Sequence, residues 1–418
     1  MHMKNEHSDS YTTDKAVGKE QWRKNFFRIY LGQAFSLIGS HGVQFAIIWW
    51  ITVTTHSAIS LTLATVVGLL PQAIIGPFAG VWIDRYSRKH LMIFADALVA
   101  VASGVLGLAF MFGQPSLVFV YVILFIRALG GTFHTPAMQA TVPSLVPKSE
   151  MTRAGGFGQM INSACNMASP MIGALLMNIL PIGSIMLLDI VGAACAILTL
   201  STVKIPYQPH TGAKRSVIAE MKEGIAVIKQ NKALVSVSFP VLLGSIVFVP
   251  LGSLLPLMVN GYFGGTAWHS GTVQTLYSLG MLAASMVVGM LRVKNKNFLM
   301  ISLSLFMFGF FGFIGGILPS WAFWIFAAAV FMMGASGTVS NIPYIAYIQR
   351  TVPQENLCKV LSLIRSVMSL GTPIGLFVAG PVAQIIGVNM WMRVAGILMM
   401  LVGILCYFLT RKYDKQEE

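Results

Sequence analysis

Charged side chains are scarce in this sequence. Only 10% of its 418 residues are Asp, Glu, Lys or Arg, whereas 56% are hydrophobic, and the mean hydropathy is +0.74. Soluble domains carry about a quarter charged residues, so this chain cannot cover a globule with polar surface. It requires lipid as its solvent, where only helices and closed barrels satisfy the backbone. Its apolar runs are about 20 residues long, the length that a helix needs to cross a bilayer.

The sequence also lacks the patterns of catalysis. Four scattered cysteines show no metal-ligand or redox spacing, so we expect them to pack as small apolar side chains: Cys165, Cys195, Cys358 and Cys406. There is no Walker loop, and no nucleophile–base pair is visible. We therefore expect a protein that is not an enzyme and binds no cofactor or metal. Its energy would come from an ion gradient or from the gradient of the solute.

We predict twelve transmembrane helices. The predicted spans are 26–52, 59–83, 90–112, 116–138, 156–180, 184–203, 233–259, 271–291, 298–318, 321–345, 360–386 and 390–409. The first 25 residues are polar and the first apolar run has full helix length, so we expect a retained span and not a removed signal peptide.

The positions of Lys and Arg predict the topology. Apart from Arg28 at the start of the first span, only Arg127, Arg365 and Arg393 lie within predicted spans, and the other basic residues occupy the two tails, the central linker and every second loop. The alternate connections, such as 54–57 and 260–270, carry none. By the positive-inside rule both termini are cytoplasmic. The net charge of +14 is therefore a signal of topology, and we expect no nucleic-acid partner.

The two halves of the sequence resemble each other. Gly131 and Thr132 of the fourth span recur as Gly337 and Thr338 of the tenth. Such self-similarity predicts an all-α membrane protein of two six-helix bundles with pseudo-two-fold symmetry, as in transporters that work by alternating access. The predicted divisions are a cytoplasmic tail (1–25), an N-terminal bundle (26–203), a cytoplasmic amphipathic linker (204–232), a C-terminal bundle (233–410) and a cytoplasmic tail (411–418).

Ionisable residues within the spans are candidates for function, because each is costly in hydrocarbon unless it is paired or hydrated. Arg127 lies near mid-membrane, so it is either a cation in a cavity that modulates a proton-carrying carboxylate or half of a structural ion pair. Asp189 is a candidate proton site because burial disfavours the anion, or else a neutral acid bonded to a neighbouring helix. Asp96 is a third coupling candidate, although a role as partner of the adjacent basic loop is favoured. Arg365 and Arg393 lie near helix ends and are expected to snorkel.

Uncharged polar side chains also interrupt the apolar runs. Their usual role is hydrogen bonding between helices, and contact with substrate is the alternative. Gln33, His41, Asn166 and Asn341 are the predicted cavity residues. The 25 Met and 26 Phe residues suit a deformable pocket for bulky apolar compounds, although most of them must face lipid or other helices.

The segment GVWIDRYSRK resembles the signature of the major facilitator superfamily between its second and third spans. Gly80, Asp84, Arg85, Arg88 and Lys89 match, and Ser87 replaces a glycine. The resemblance implies that Asp84 caps a helix of the other half and that these residues gate the inner face. The dipole at a helix N-terminus favours such a carboxylate.

Two further segments are similar to antiporter elements of that superfamily. RALGG begins at Arg127, and SPMIGA keeps Pro170 and Gly173 of a helix-bend element, with Pro373 at nearly the equivalent place in the second half. Nearly the whole chain resembles the macrolide-efflux branch of the drug:proton antiporters, through segments such as IYLGQAFSLIGS and SLIRSVMSLGTPIG. In that family spans 3 and 6 lie outside the cavity, which conflicts with a coupling role for Asp96 and Asp189.

We therefore predict a monomeric, multi-pass protein of the bacterial plasma membrane that exports a hydrophobic drug, a macrolide, in exchange for protons. Exporters of siderophores or lipids, and importers, share the predicted fold and remain alternatives. A receptor or scaffold is a third class, and it would give no flux of solute.

Overall fold

All elements of the described chain are helical. The computed structural model describes residues 6–147, 150–203, 205, 225–290 and 297–417. Side chains within these ranges are described except at residues 6–21, 77–85, 143–144, 151–152, 156, 289–290, 354–355, 358–359, 362, 365–366, 370 and 414–417. Most of the predicted linker 204–232 therefore lies outside the described residues.

The helices occupy the predicted apolar runs. In the first half they are α1 (Glu6–Thr55), α2 (Ala58–Arg85), α3 (Arg88–Phe112), α4 (Leu117–Leu145), α5 (Met151–Ile179), α6 (Ile182–Ile185) and α7 (Leu187–Ser201). In the second half they are α8 (Lys232–Ser253), α9 (Leu255–Leu257), a π-helix (Met258–Tyr262), α10 (Ala267–Met290), α11 (Asn297–Ile317), α12 (Phe323–Thr351), α13 (Gln354–Ile386) and α14 (Val388–Glu417).

Within the described residues, eleven helical segments are long and apolar enough to cross a membrane. The predicted fifth span falls on α5, which has 29 residues but does not meet that standard of hydropathy. Polar residues such as Gln159, Asn162 and Asn166 account for its lower hydropathy. The helical membrane architecture is confirmed, whereas the count of twelve and the side of the termini stay predictions.

Local signals in the sequence explain where several helices begin and end. Ser116 Oγ accepts a hydrogen bond from Phe119 N at 3.3 Å, and Asn231 Oδ1 accepts one from Leu234 N at 3.0 Å. Both are N-caps that satisfy amides at the first turn of a helix. Gly387 lies between α13 and α14 with φ +88°, a left-handed conformation that favours glycine.

The chain divides into two compact units. Unit 1 comprises Met1–Gln44, Leu70–Ser169 and Ile179–Thr211, and unit 2 comprises Phe45–Leu69, Pro170–Asn178 and Gly212–Glu418. Helices α1, α2 and α5 thus contribute residues to both units. The predicted division into two bundles at the 204–232 linker stays a prediction.

Unit 2 joins segments from both halves of the sequence. The backbone N–H of Ala58, at the start of α2, donates to Gln384 Oε1 near the end of α13 at 2.8 Å. A Cβ added at Gly271 of α10 would lie 3.0 Å from the carbonyl oxygen of Pro170 in α5. The ends of α2 and α5 therefore pack within the same core as helices that follow the linker.

Candidate functional site

Arg127 of α4 is held in the interior of unit 1. Its guanidinium forms an ion pair with Asp189 of α7, and their side chains are 6% and 0% exposed. Nη1 also contacts the hydroxyl of Ser103, and Nη2 donates to the backbone carbonyl of Ser40 at 3.0 Å. The expected need of this mid-membrane cation for an anionic partner is thus met by a specific carboxylate.

Both oxygens of the Asp189 carboxylate accept hydrogen bonds. Ser40 Oγ donates to Oδ1 at 2.7 Å, and Ser103 Oγ donates to Oδ2 at 2.5 Å. Together with Arg127 these donors suit an ionised carboxylate, which only accepts hydrogen bonds. The cluster of Arg127, Asp189, Ser40 and Ser103 therefore has no net charge when its two ionisable members are both ionised.

Glycine brings the helices of this cluster together. A Cβ at Gly39 of α1 would lie 2.7 Å from the carbonyl oxygen of Leu188, and a Cβ at Gly192 of α7 would lie 2.9 Å from that of Phe35. Because neither glycine carries a side chain, α1 and α7 approach backbone to backbone. That approach places Ser40 against Asp189.

A second polar cluster surrounds Asp96 of α3. Gln33 Nε2 donates to Asp96 Oδ2 at 3.2 Å, and Ser36 Oγ donates to Oδ1 at 3.2 Å. His134 Nε2 of α4 lies 3.6 Å from Oδ1, and the side chains of His134 and Asp96 are 15% and 7% exposed. Among the described residues, His134 Nε2 and Gln33 Oε1 are buried atoms without a hydrogen-bond partner.

The basic residues at the start of α3 contact backbone carbonyls and not Asp96. Arg88 Nη1 donates to the carbonyl of Ala140 at 2.5 Å. Lys89 Nζ donates to the carbonyls of Ser201 and Val203 at 2.9 and 3.0 Å, where α7 ends. The expected pairing of Asp96 with its neighbouring loop is wrong for these two cations, because Arg88 binds a carbonyl of α4 and Lys89 binds the free carbonyls at the end of α7.

The rest of the predicted gating motif is only partly described. Gly80, Asp84 and Arg85 lie in the last turns of α2, but their side chains fall outside the described residues. The predicted cap by Asp84 therefore stays a prediction.

Unit 2 contains a cavity of about 300 Å³ between α8, α11, α12, α13 and α14. Phe248 and Phe308 pack with ring centroids 4.8 Å apart and contribute to its apolar wall. Its polar lining consists of Ser245, Ser304, Ser340, Asn341 and Tyr344. Among the predicted cavity residues, Asn341 therefore faces a concave, mainly apolar surface.

The other predicted residues are distributed over both units. Gln33 is 2% exposed and binds Asp96, His41 is half-buried in α1, and Asn166 is exposed on α5. Pro170 and Gly173 lie inside α5, and Pro373 lies inside α13. Of the four predicted cavity residues, Gln33 is the one for which the described residues show a hydrogen bond to a predicted coupling residue.

Comparison with known proteins decides the family. A family model described as transmembrane secretion effector, of the major facilitator type, matches residues 21–418. The chain belongs to this family of the major facilitator superfamily. The predicted resemblance is thereby confirmed.

Relatives of this major facilitator protein are similar over nearly its whole length. "Macrolide efflux protein A" of Streptococcus pyogenes is 36% identical over 94% of this chain and 98% of its own. The protein of that name from Enterococcus faecalis is also 36% identical, over 77% of this chain and 99% of its own. The crystal structure of a bacterial homolog to the human lysosomal transporter Spinster, inward-facing and unoccupied, has a TM-score of 0.72. It is 15% identical and covers 95% of this chain and 98% of that one, which establishes the fold alone.

Reasoning from the sequence missed four residues of the two clusters: His134, Ser36, Ser40 and Ser103. For His134 a signal was available, because it follows Arg127 by seven residues, or two helical turns, and therefore lies on the same face of α4. The serines carry no such signal, since hydroxyl groups occur throughout the apolar runs and commonly bond to their own helix.

Proposed function

We propose that this major facilitator protein exports a bulky amphipathic drug, a macrolide, across the bacterial plasma membrane in exchange for protons. The observation that carries the proposal is the 36% identity, over 94% of the chain, to a relative named for macrolide efflux. The buried ionisable clusters in unit 1 support coupling to protons, because ionisable groups within membrane spans commonly form proton pathways.

Twelve spans with both termini cytoplasmic complete the proposed topology. Helix α5 is about 43 Å long at 1.5 Å per residue, which exceeds the hydrocarbon thickness of about 30 Å. Its exposed polar residues Gln159, Ser163 and Asn166 recur at spacings of three or four and share one face. That face would line an aqueous path, which explains why α5 crosses the membrane without high hydropathy.

The cavity of unit 2 is the proposed site for an apolar part of the drug. Ligand cavities range from about 300 to 1,000 Å³, so this one is at the small end and would hold one portion of a macrolide. Asn341 would orient that portion by hydrogen bonding. Gln33, His41 and Asn166 are proposed to contribute from the first half of the chain.

Alternating access requires a gate on each side of the membrane. We propose the inner gate at Gly80, Asp84, Arg85, Arg88 and Lys89. In the proposed topology the contact between Ala58 and Gln384 lies on the outer side, so it would contribute to an outer gate. Arg127, Asp189 and Asp96 are the proposed coupling residues, and Pro170, Gly173 and Pro373 allow their helices to bend.

Expression in a drug-sensitive bacterium tests this function. Cells that carry the chain should accumulate less labelled macrolide than cells with an empty vector, and a protonophore should abolish the difference. Transport should also occur in the monomeric protein reconstituted at low density. Unchanged accumulation of every macrolide tested would reject the substrate, and parallel assays with a siderophore and a labelled lipid would then identify the alternative exporters.

A further inference from the structure

We infer that the pair of Asp96 and His134 binds the proton that is exchanged for the drug, while the pair of Arg127 and Asp189 stays ionised throughout the cycle. This inference rests on the proposed proton-coupled export. It assigns one proton to one buried site on α3 and α4, and it brings His134 into the transport cycle.

The cluster around Arg127 is unsuited to carrying a proton. Protonation of Asp189 would leave the guanidinium of Arg127 without its counter-ion, and an uncompensated buried charge is strongly destabilising. The Asp189 side chain is also 0% exposed, and its two oxygens already accept hydrogen bonds from Ser40 and Ser103. The proton would have neither an open path nor a free acceptor.

The cluster around Asp96 differs in the charge of its donors. Its hydrogen-bond donors, Gln33 and Ser36, are neutral, so protonation strands no fixed cation. With His134 neutral and Asp96 ionised, the site carries one negative charge in a low-dielectric interior. Uptake of one proton, by the imidazole or by the carboxyl, brings the net charge to zero and removes that cost.

The geometry leaves room for this proton. His134 Nε2 and Asp96 Oδ1 are 3.6 Å apart, which is too long for a hydrogen bond but short enough to close into one. His134 Nε2 and Gln33 Oε1 are buried and lack hydrogen-bond partners among the described residues. A proton on the imidazole would supply the donor that this cluster lacks.

An apolar cluster lies on one side of the pair. Ile29, Met92, Ala137 and Leu200 form it, one helical turn from Gln33, Asp96 and His134, toward the start of α3. The side chain of His134 is 15% exposed although its Nε2 atom is buried. Proton transfer to Nε2 therefore requires a local opening beside the imidazole.

Other ionisable groups also lie on the helices around the pair. Arg127 lies seven residues from His134, about 10 Å along α4, and is neutralised by Asp189. The exposed ones are Arg23, Lys24, Arg28, His90 and Arg153, and the half-buried ones are Tyr30, His41, Tyr121 and Cys195. Cys165 contacts a carbonyl of α1, and Arg88 and Lys89 donate to backbone carbonyls.

The proposed step is a simple proton transfer. On the more acidic side, hydronium gives its proton to His134 Nε2 and becomes water, and the new N–H donates to the Asp96 carboxylate. When the drug binds from the cytoplasm, that N–H bond breaks and a water molecule accepts the proton. One proton enters for each drug molecule that leaves, and no oxidant or other reactant is required.

Proton release by the purified full chain in a weakly buffered detergent solution tests the assignment. Addition of erythromycin to the wild-type protein should release close to one proton for each drug bound. D96N and H134Q should still bind erythromycin but release at least about tenfold fewer protons. The matched control is T141V, which removes a buried hydroxyl two turns from His134 on the same face of α4 and changes no charge. It should release protons as the wild type does.

The possible outcomes separate this inference from the proposed function. Proton release by D96N and H134Q at the wild-type level would overturn the inference alone, whereas no binding of any macrolide by the wild-type protein would overturn the function. In liposomes both variants should exchange labelled for unlabelled drug but lose transport driven by a pH gradient.

Labelling of the unmodified protein covers variants that fail to fold. Diethyl pyrocarbonate reacts with imidazole nitrogens that carry no proton, and peptide mass spectrometry locates the adduct. At one fixed, mildly acidic pH, erythromycin should raise the labelling of His134, because drug binding releases its proton. Equal labelling of His134 with and without erythromycin would overturn the assignment.

Discussion

Arg127 and Asp189 form a buried ion pair although 62 residues separate them in the chain. The pair connects α4 to α7, while Ser40 of α1 and Ser103 of α3 donate to the same carboxylate. Four helices of unit 1 therefore meet at one polar point in its interior. Such a point selects one arrangement of helices, because any shift would leave a charge unpaired.

The first prediction concerns removal of one or both members of this pair. R127L or D189L alone should destabilise the protein by about 3–5 kcal/mol, because each leaves an uncompensated buried charge. The double substitution removes both charges and should recover most of the lost stability. Unfolding of the three variants in detergent, compared with the wild type as a double-mutant cycle, measures the coupling.

Additive effects of R127L and D189L would contradict this account. The double variant should fold but transport poorly, since the polar point that orders α1, α3, α4 and α7 is gone. If the double variant regains stability but not transport, the ion pair is needed for transport in addition to folding.

The sequence was sufficient to predict the helices, because long apolar runs and the distribution of Lys and Arg do not depend on tertiary contacts. It also identified Arg127, Asp189 and Asp96, since a charge stranded in an apolar run is visible in one dimension. Their partners were not predictable, because pairing depends on how the helices rotate and cross. Asp96 illustrates this: it is close to Arg88 and Lys89 in sequence, yet it binds Gln33 and Ser36 of another helix.

Helix α5 is the predicted span that hydropathy does not identify. Gln159, Asn162 and Asn166 lower its hydropathy below the standard that eleven other helical segments of the described residues meet. Asn162 Nδ2 donates a hydrogen bond to the carbonyl of Gly158 at 3.0 Å, so this amide has a partner within its own helix. Sequence alone does not distinguish a satisfied amide from one that faces a path for solute.

The second prediction concerns close packing between α10 and α12. A methyl group at Gly334 would overlap the backbone carbonyl of Tyr277, which a rigid helix cannot move aside. G334A should therefore cost about 1–3 kcal/mol, as overpacking does elsewhere. The matched control is G337A on the same helix, where the nearest side-chain atom, on Phe248, is 3.7 Å from the added carbon.

Thermal unfolding in detergent checks this contrast. G334A should melt at a lower temperature than the wild type, and G337A should match or exceed it, since alanine favours helix over glycine. Equal melting temperatures for the two variants would show that α10 and α12 do not approach as closely as described.

The third prediction tests the proposed topology. Thr266 is exposed in the connection before α10, and Lys229 is exposed in the helical segment before α8. In a variant that lacks the native cysteines, T266C should react with a membrane-impermeant maleimide in intact cells. K229C should react only after the membrane is opened, because the positive-inside rule places it in the cytoplasm. Reaction of both T266C and K229C in intact cells would contradict the even number of spans and the cytoplasmic position of the termini.

The fourth prediction concerns the cavity of unit 2 as the place where part of the drug binds. N341F would occupy part of a cavity of about 300 Å³ and remove an amide from its lining, so it should lower macrolide export about tenfold, equivalent to about 1.4 kcal/mol of binding. The matched control is I342F, because Ile342 is the next residue on α12 but is 38% exposed and does not line the cavity. Drug accumulation should be unchanged by I342F at equal expression.

The size of the substrate gives a second check. Small substrates should be affected less than large ones by N341F, since they do not need the whole volume of the cavity. Export at the wild-type level by both N341F and I342F would place the binding site elsewhere. An equal loss of export in both would show that bulk on α12, and not occupation of the cavity, impairs transport.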